Sequence, residues 1–252
     1  MKKYLSQNFL YDPSILRRLI RVASVSSEDT VIEIGPGTGR LTMMLSEKAK
    51  EVIAIELDRE LYSDLKERLD DRKNIRLILG NALKYPYETT RRFKVVANIP
   101  YHITTPIIFK LLEQRKNLIS MTLTVQKEVA QRVVAKPGGK AYGVLSIMIQ
   151  YYGKPELKFL IPRGAFRPVP KVDSACLHIS VYERPSVNVK DENVFFRLVK
   201  TAFSQRRKTL SNALKTISPD IKNILTKAGI TPERRPETLS IEEFARISEL
   251  LS

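Results

Sequence analysis

A glycine-rich turn between a predicted strand and a predicted helix constrains this chain more than any other feature. The turn, Glu33–Gly39, has glycine at its third, fifth and seventh positions. It follows the apolar run Thr30–Ile34 and opens the helical pattern of Arg40–Lys48. Glycine lets the backbone turn sharply and approach a ligand closely. A strand, a glycine turn and a helix in this order are typical of an α/β fold that binds a cofactor at the turn.

The spacing of these glycines excludes two common cofactor loops. The third glycine comes too early for the dinucleotide fingerprint, and no Gly-Lys-Ser/Thr follows, as it would in a phosphate-binding P-loop. Glu33 adds a negative charge beside the turn, which repels a pyrophosphate and attracts a cation. The pattern favours a methyl-sulfonium cofactor over the alternative of a tight strand–helix turn without chemical function.

Short apolar runs alternate with helical periodicity through the first two thirds of the chain. The predicted strands are Thr30–Ile34, Glu51–Glu56, Ile75–Leu79, Phe93–Ala97 and Ile119–Val125, and the predicted helices are Arg40–Lys48, Arg59–Leu69 and Pro106–Glu113. This rhythm predicts a mostly parallel sheet with helices on both faces and a ligand site at the carboxyl ends of its strands. Two later runs, Glu156–Ile161 and Ala175–Tyr182, predict an antiparallel pair of strands at the sheet edge.

The pattern changes after Tyr152, and the polar segment Glu183–Lys190, which contains Pro185, is typical of a linker. Four stretches with helical spacing follow this segment: Val194–Phe203, Lys208–Lys215, Ile221–Ala228 and Ile241–Leu251. We therefore predict an α/β catalytic domain over residues 1–184 and a small all-helical domain over residues 185–252.

The charge balance indicates a polyanionic partner. The chain has 43 Lys and Arg against 27 Asp and Glu, a formal net charge of +16. An excess of this size favours nucleic acid as the partner. Two clusters are predicted to contact RNA phosphates, with solvated charge as the alternative for each. They consist of Arg206, Arg207 and Lys208, and of Arg163, Arg167 and Lys171.

Cysteine, histidine and hydropathy exclude several other classes of protein. The single cysteine, Cys176, permits no internal disulfide, which fits a reducing cytoplasm. His102 and His178 have no Cys or carboxylate neighbours at ligand spacing, so we expect no metal site. No apolar run reaches the length of a membrane span, and the amino terminus lacks the apolar stretch of a signal peptide. The sequence therefore predicts a cytoplasmic protein without membrane association.

Polar residues follow the second and third predicted strands. Glu56 ends the second strand, where a carboxylate can accept hydrogen bonds from both hydroxyls of a ribose; in the alternative interpretation it caps the next helix, a role that suits Asp58 better. Asn81 follows the third strand and can read an adenine amine, although Asn after Gly is also common in turns. The neighbours that complete this predicted cofactor set are Leu57 and Ala82.

The tetrapeptide Asn98–Tyr101 at the end of the fourth strand suits methylation of an adenine amine. The lone pair of that amine is delocalised into the ring, so the nitrogen is a poor nucleophile. Two acceptors aimed at its hydrogens, the Asn98 side-chain oxygen and the Ile99 carbonyl, would free the lone pair. Pro100 fixes the backbone, and Tyr101 offers a face on which an unstacked base can rest. Positioning and local electrostatics then carry the step without a strong base.

Taken together, these residues resemble the ribosomal RNA small-subunit adenine N6,N6-dimethyltransferase family (KsgA type) over essentially the whole chain. The segments that carry the resemblance are Leu5–Leu10, Glu33–Gly39, Asn98–Thr104, Val125–Ala130, Phe166–Ser174 and Ala202–Leu210. It implies a Rossmann-like methyltransferase domain that uses S-adenosylmethionine and releases S-adenosylhomocysteine. It also implies dimethylation of two adjacent adenines in the 3′-terminal hairpin of 16S rRNA, on the assembling 30S particle, during ribosome biogenesis.

The resemblance also implies roles for individual residues. The cofactor set it implies comprises Gln7, Asn8, Leu10, Glu33, Gly35, Gly37, Glu56, Asn81 and Asn98. Phe166 would stack on the target base opposite Tyr101. The family usually has Asp at the position of Asn81; an amide oxygen still accepts, but the side chain carries no charge and presents a donor face. We therefore expect a lower cofactor affinity, not loss of activity.

Two other functions fit many of the same residues. The antibiotic-resistance enzymes that act on large-subunit rRNA (Erm type) share the cofactor and catalytic motifs, but Gln205–Leu210 and Phe166–Ser174 favour the small-subunit enzyme. A non-catalytic ribosome-assembly protein that binds RNA would keep the fold, and intact Asn98–Tyr101 and Glu56 oppose this. The predicted oligomeric state is a monomer.

Overall fold

The computed structural model describes residues 8–252 and divides the chain into two compact units. The first unit runs through Ala130 and resumes over Lys154–Glu183; the second comprises Gln131–Gly153 and Arg184–Ser252. The prediction of one unbroken domain over residues 1–184 is therefore wrong for Gln131–Gly153. This segment belongs to the second unit because its large apolar side chains are buried in the core of that unit. Helical periodicity predicts which face of a helix is apolar, but not which of two cores that face packs into.

The first unit is built around a seven-stranded sheet with a separate two-stranded ribbon. In chain order the strands are β1 Phe9–Leu10, β2 Thr30–Ile34, β3 Glu51–Glu56, β4 Ile75–Leu79, β5 Phe93–Asn98, β6 Leu118–Gln126, β7 Gly153–Ile161, β8 Phe166–Arg167 and β9 Ser174–Val181. The sheet order is β4-β3-β2-β5-β6-β9-β7, and β1 pairs antiparallel with β8. The strands predicted from the apolar runs are confirmed, with ends that differ by up to three residues.

Pairing is parallel from β4 through β6, as the alternation of strands and helices predicts. The strand β9 then reverses direction and pairs antiparallel with β6. It lies between β6 and β7, so the two late strands are neighbours in the sheet. Because β9 runs against the parallel strands, its first residue, Ser174, lies at the edge where they end, opposite Gln126. The pocket described below opens at that edge.

Four helices of the first unit pack against this sheet. They are α1 Pro13–Ala23, α2 Arg40–Ser46, α3 Arg59–Arg68 and α4 Thr104–Leu112. The helix α1 was not predicted from the sequence; it is capped by Asp12 and packs against β5, β6 and β9. Its buried positions recur with the spacing of one helix face: Ile15, Leu16, Leu19, Ile20 and Ala23.

The second unit is helical, as predicted for the carboxyl-terminal part of the chain. After α5 Lys127–Val133, which crosses the boundary between the units, its helices are α6 Val144–Tyr152, α7 Glu192–Ser204, α8 Leu210–Ala213, α9 Ile221–Lys227 and α10 Ile241–Leu251. Aromatic side chains from α6, α7 and α10, among them Tyr151, Phe195 and Phe244, are buried in one apolar cluster. A capping box between Ser240 and Glu243 begins α10.

Candidate active site

A pocket open to solvent lies at the carboxyl ends of the parallel strands, with about 360 Å³ of space that includes the solvent at its opening. Its lining residues are Asn8, Phe9, Gly35, Gly37, Asn98, Ile99, Pro100 and Tyr101. A second pocket of about 300 Å³ shares Phe9, Gly35 and Asn98 with the first and adds Leu10 and Glu33. The structure therefore brings together the glycine turn, part of the predicted amino-terminal cofactor motif and the Asn98–Tyr101 tetrapeptide. Gln7, also predicted to contact the cofactor, lies outside the described residues.

The glycine turn needs glycine for two physical reasons. Gly35 and Gly37 adopt φ angles of +68° and +55°, which side chains with a Cβ rarely tolerate. At Gly37 there is also no space, because an added Cβ would lie 2.7 Å from the Phe9 ring. The Phe9 ring therefore packs directly over the backbone of the turn. The glycine spacing predicts that a ligand can approach the backbone closely here. In the structure, the group that approaches the backbone is the ring of Phe9.

Glu33 places a buried carboxyl group in the wall of the second pocket. Its side chain is 2% exposed, and Oε2 has no hydrogen-bond partner within residues 8–252. Burial raises the pKa of Glu33 to about 8, and the nearby Glu56 carboxylate adds to the rise. The Thr42 side chain opposes this rise, and the net shift favours the protonated carboxyl group in the protein alone. A bound cation would reverse this preference, because an opposite charge favours the ionised carboxylate.

Glu56 presents a carboxylate that backbone groups hold in place. Its oxygens accept hydrogen bonds from the N–H groups of Gly37 at 3.1 Å, Leu57 at 2.8 Å and Asp58 at 2.9 Å. Burial raises the pKa of Glu56, while these donors oppose the rise. The helix α3 is instead capped by Asp58, which accepts from the N–H groups of Glu60 and Leu61. Capping is thus the role of Asp58, and Glu56 is held against the glycine turn.

The residues after β4 form the turn that is the alternative interpretation of Asn81 in the sequence. Asn81 is exposed, and its Oδ1 atom accepts a hydrogen bond from the Leu83 N–H at 2.9 Å. The side chain therefore caps the short 3₁₀ turn Ala82–Lys84. Neither of the two pockets is lined by Glu56, Leu57, Asn81 or Ala82. The 52% exposed side chain of Leu57 leaves an apolar surface beside Glu56.

Asn98 has a defined amide orientation at the end of β5. Its Nδ2 atom donates a hydrogen bond to the backbone carbonyl of Asn8 at 2.8 Å. The amide oxygen is therefore turned away from that carbonyl and remains the only acceptor of this side chain. Ile99 is buried, and Pro100, which also lines this pocket, has a fixed φ angle, so the backbone at this strand end is held in place.

Tyr101 and Phe166 have different environments, which corrects one prediction. Tyr101 is half-buried and lines the first pocket, and its hydroxyl lies 2.7 Å from that of Ser174. Phe166 is fully buried in the apolar cluster that also contains Leu10 and Cys176. The prediction that Phe166 stacks on the target base is therefore wrong: β8 pairs with β1, and the phenylalanine side chain packs into the core below.

The attachment of the amino-terminal segment, Asn8–Tyr11, was not predicted from the sequence. This segment pairs with β8, and the Tyr11 N–H donates to the Ala165 carbonyl at 3.0 Å. The Arg40 guanidinium lies 4.2 Å from the centre of the Tyr11 ring and donates to the Tyr11 carbonyl at 3.3 Å. Hydrophobic periodicity does not predict these contacts, because each of them joins residues that are distant in the sequence.

The two basic clusters are exposed, but two of their arginines already use some of their donors within the protein. In the first unit, Arg163 and Lys171 are exposed, and Nη1 of Arg167 donates to the carbonyls of Gly164 and Phe166. This cluster lies on the stretch that leads into β9. The described residues contain no group of three or more metal-ligating side chains, and no helix among them is long and apolar enough to cross a membrane.

In the second unit, Arg206 is engaged with the protein itself. Its Nη2 atom donates to the carbonyls of Lys140 at 3.0 Å and Tyr142 at 3.1 Å. This guanidinium therefore holds the loop before α6 and presents only part of its donor set to a partner. Arg207 and Lys208 are exposed beside it.

The profile of the ribosomal RNA adenine dimethylase family matches residues 1–252. The chain belongs to this family. The chain is 47% identical to ribosomal RNA small subunit methyltransferase A of Moorella thermoacetica, and the alignment covers 99% of this chain and 92% of that protein. The predicted family and enzyme class are therefore confirmed, and the chain is an rRNA methyltransferase.

Two solved structures resemble this dimethylase closely in fold. A dimethyladenosine transferase from Plasmodium falciparum superposes with a TM-score of 0.81 at 30% identity, over 95% of each chain. The 23S rRNA methyltransferase ErmE superposes with a TM-score of 0.78 at 27% identity, over 97% of this chain and 99% of ErmE. The predicted Rossmann-like methyltransferase fold with a helical carboxyl-terminal part is confirmed. Because both enzymes share it, the fold by itself does not separate small-subunit from large-subunit substrates.

Proposed function

We propose that this dimethylase transfers methyl groups from S-adenosylmethionine to the N6 amines of two adjacent adenines in the 3′-terminal hairpin of small-subunit rRNA. One observation carries the proposal: the Asn98 amide lies in a pocket with the glycine turn and is held with its nitrogen on the Asn8 carbonyl. This orientation presents an oxygen acceptor to an incoming amine. The similarity to small-subunit methyltransferases supports the choice of RNA.

The residues at the strand ends fit S-adenosylmethionine. The Oε2 atom of Glu33 is a buried acceptor without a partner within residues 8–252, and Glu33 lines a pocket beside Gly35. When bound, the cofactor supplies an electrophilic methyl group on a positively charged sulfur. Glu33 would favour that positive charge, and Glu56 would accept hydrogen bonds from the ribose hydroxyls. The remaining residues proposed to hold the cofactor are Gln7, Asn8, Leu10, Gly35, Gly37, Leu57, Asn81 and Ala82.

The Asn98–Tyr101 tetrapeptide would prepare the amine for attack. In the first transfer the Asn98 side-chain oxygen and the Ile99 carbonyl would accept hydrogen bonds from the two hydrogens of the adenine amine, which favours a pyramidal nitrogen with an available lone pair. In the second transfer the monomethylated amine would keep one hydrogen for one of these acceptors. Tyr101 supports the unstacked base on its ring. On taking up the methyl group the amine nitrogen would become positive, and it would then release a proton to solvent. Preorganised acceptors therefore supply the rate increase, and no dedicated base is required.

Phosphate contacts would come from basic residues of each unit separately. In the first unit the proposed contacts are Arg163, Arg167 and Lys171, and in the second unit they are Arg207 and Lys208, with a smaller contribution from the partly engaged Arg206. The excess of positive charge over the whole chain supports this assignment. We further propose that the protein acts as a monomer in the cytoplasm, on the assembling 30S particle.

The decisive experiment is a methyl-transfer assay with two RNA substrates. The protein is incubated with labelled methyl donor and either small ribosomal subunits that lack the modification or protein-free large-subunit RNA, and the modified base is mapped. We expect dimethyladenosine at two adjacent positions in the small-subunit hairpin only. Label in the large-subunit RNA would instead support the ErmE-like activity, and RNA binding without label would support a non-catalytic assembly role.

A further inference from the structure

The hydroxyl group of Tyr101 has no task in base stacking, since a phenylalanine ring would serve equally well. In the structure this hydroxyl lies 2.7 Å from the hydroxyl of Ser174. Ser174 is completely buried, so its hydroxyl gains a partner that a buried polar group requires. The Tyr101 ring is therefore anchored at the end that points away from its own backbone.

The topology explains why a residue of β9 can reach this position. The strands β5 and β6 are parallel and end at the pocket edge, where Asn98 pairs with Thr124. Because β9 is antiparallel to β6, it starts at this edge, with Ser174 opposite Gln126. The Lys127 N–H also donates to the Asp173 carbonyl at 3.0 Å, which fixes the backbone just before Ser174. A reversed strand in a parallel sheet thus delivers its first side chain to the active-site edge.

The backbone holds only the near end of Tyr101. A 3₁₀ turn follows Pro100, in which the Ile103 N–H donates to the Pro100 carbonyl at 3.1 Å and the Thr104 N–H donates to the Tyr101 carbonyl. These bonds fix the Cα position but leave rotation about the side-chain bonds open. The hydrogen bond to Ser174 restricts that rotation, so the two ends together fix the ring.

We infer that Ser174 is a positioning residue, which holds the ring of Tyr101 in the orientation that receives the target adenine. This inference rests on the proposed function. It predicts that removing the hydroxyl from either partner loosens the same ring, so the two changes act through one interaction. It also predicts that the cofactor site is unaffected, since Ser174 does not line either pocket.

A double-mutant cycle tests this inference. Tyr101→Phe, Ser174→Ala and the double variant are compared by steady-state kinetics on the small-subunit substrate, with cofactor affinity measured by calorimetry. Loss of one buried hydrogen bond corresponds to about a fivefold to tenfold reduction in kcat for each single variant. The double variant should fall no further than the single ones, with cofactor affinity unchanged in all three. Ser180→Ala is the matched control: it lies on the same strand, but its hydroxyl is 3.3 Å from Nε2 of His178, and it should retain the wild-type kcat.

Three results would overturn the inference. These are a wild-type kcat for either single variant, multiplicative losses in the double variant, or a loss for Ser180→Ala as large as that for Ser174→Ala. If Ser174→Ala does not fold, Tyr101→Phe still tests the inference, because it removes the same hydrogen bond by changing Tyr101, which is only partly buried. A wild-type protein that fails to methylate small subunits would refute the proposed function and this inference with it, whereas an active wild type with independent losses would refute only the inference.

Discussion

The Nδ2 atom of Asn98 donates a hydrogen bond to the backbone carbonyl oxygen of Asn8, 90 residues away in the sequence and 2.8 Å away in space. This contact joins the end of β5 to the segment that covers the glycine turn. It fixes which end of the amide faces the amino-terminal segment, so the same bond positions the proposed catalytic oxygen and the wall of the proposed cofactor pocket. Two substitutions of Asn98 separate these effects.

Asn98→Ala should abolish most methyl transfer and largely spare RNA binding. Removing one preorganised hydrogen-bond partner from a reacting centre costs on the order of 10²–10³ in kcat. Asn98→Asp keeps an acceptor for the amine but loses the donor, so its carboxylate faces the Asn8 carbonyl and should weaken cofactor binding as well. Single-turnover kinetics, calorimetry with the cofactor and fluorescence anisotropy with RNA measure the three quantities. Methylation by Asn98→Ala at the wild-type rate would show that the proposed mechanism is wrong.

Cofactor affinity should increase with pH because of Glu33. Burial raises the pKa of Glu33 to about 8, so below that pH the carboxyl group is protonated and offers no negative charge to a cation. Binding of the sulfonium requires release of this proton, and the affinity should rise by up to about tenfold per pH unit until the pH passes the pKa of Glu33. Calorimetry across this pH range tests the slope.

The product provides the control for this prediction. S-adenosylhomocysteine lacks the sulfonium charge, so its affinity should depend less on pH, and Glu33→Gln should remove the difference between the two ligands. If the affinities of the two ligands for the wild-type protein depended on pH in the same way, Glu33 would not contact the sulfonium.

Gly37→Ala should weaken cofactor binding more than backbone strain can explain. The new Cβ would lie 2.7 Å from the Phe9 ring, so it would push this ring out of the pocket wall. Gly138→Ala is the matched control, since Gly138 has a φ of +94° and no atom within 4 Å of the position that an added Cβ would occupy. We expect Gly138→Ala to lose about 1–2 kcal/mol of free energy of unfolding, because a Cβ is disfavoured in the left-handed region. Gly37→Ala should lose more, because its Cβ also overlaps the Phe9 ring. Only Gly37→Ala should lose cofactor affinity, by at least about tenfold, equivalent to 1.4 kcal/mol.

Asn81→Asp should raise cofactor affinity. The only side-chain oxygen of Asn81 already accepts from the Leu83 N–H, and the other end of the amide is a donor. A carboxylate would keep the cap with one oxygen and offer the second to an adenine amine. Because a hydrogen bond to a charged group contributes about 1.5–3 kcal/mol, we expect a gain of at least about tenfold, measured by calorimetry. Unchanged affinity would mean that this position does not read the cofactor base.

Arg206 and Arg207 are adjacent but should behave differently when neutralised. Arg206→Gln removes two hydrogen bonds to the carbonyls of Lys140 and Tyr142, so it should lower the free energy of unfolding by about 1–2 kcal/mol. Arg207→Gln should leave stability unchanged, weaken RNA binding and reduce the slope of log affinity against log salt by about 1. Chemical denaturation and salt-dependent anisotropy measure the two effects. An unchanged salt slope for Arg207→Gln would exclude it as a phosphate contact.

Much of the architecture was predictable because its signals are local. The apolar runs predicted the parallel strands, and the glycine spacing predicted the sharp turn between β2 and α2. The choice of Asp58 over Glu56 as the cap of α3 also follows from local chemistry, since a short carboxylate beside the first turn can reach its N–H groups. The helix α1 carried the same kind of signal in its spacing and was nevertheless missed.

The tertiary structure alone decided which of these local elements meet, and in what environment. Phe166 and Tyr101 are both aromatic residues beside predicted site motifs, yet one is in the core and the other lines the pocket. Contacts between distant parts of the chain also explain three further findings. These are the placement of Gln131–Gly153 in the second unit, the hydrogen bond between Asn98 and Asn8, and the raised pKa of Glu33. Sequence periodicity records which face of an element is apolar, whereas burial and hydrogen-bond partners depend on which distant element covers that face.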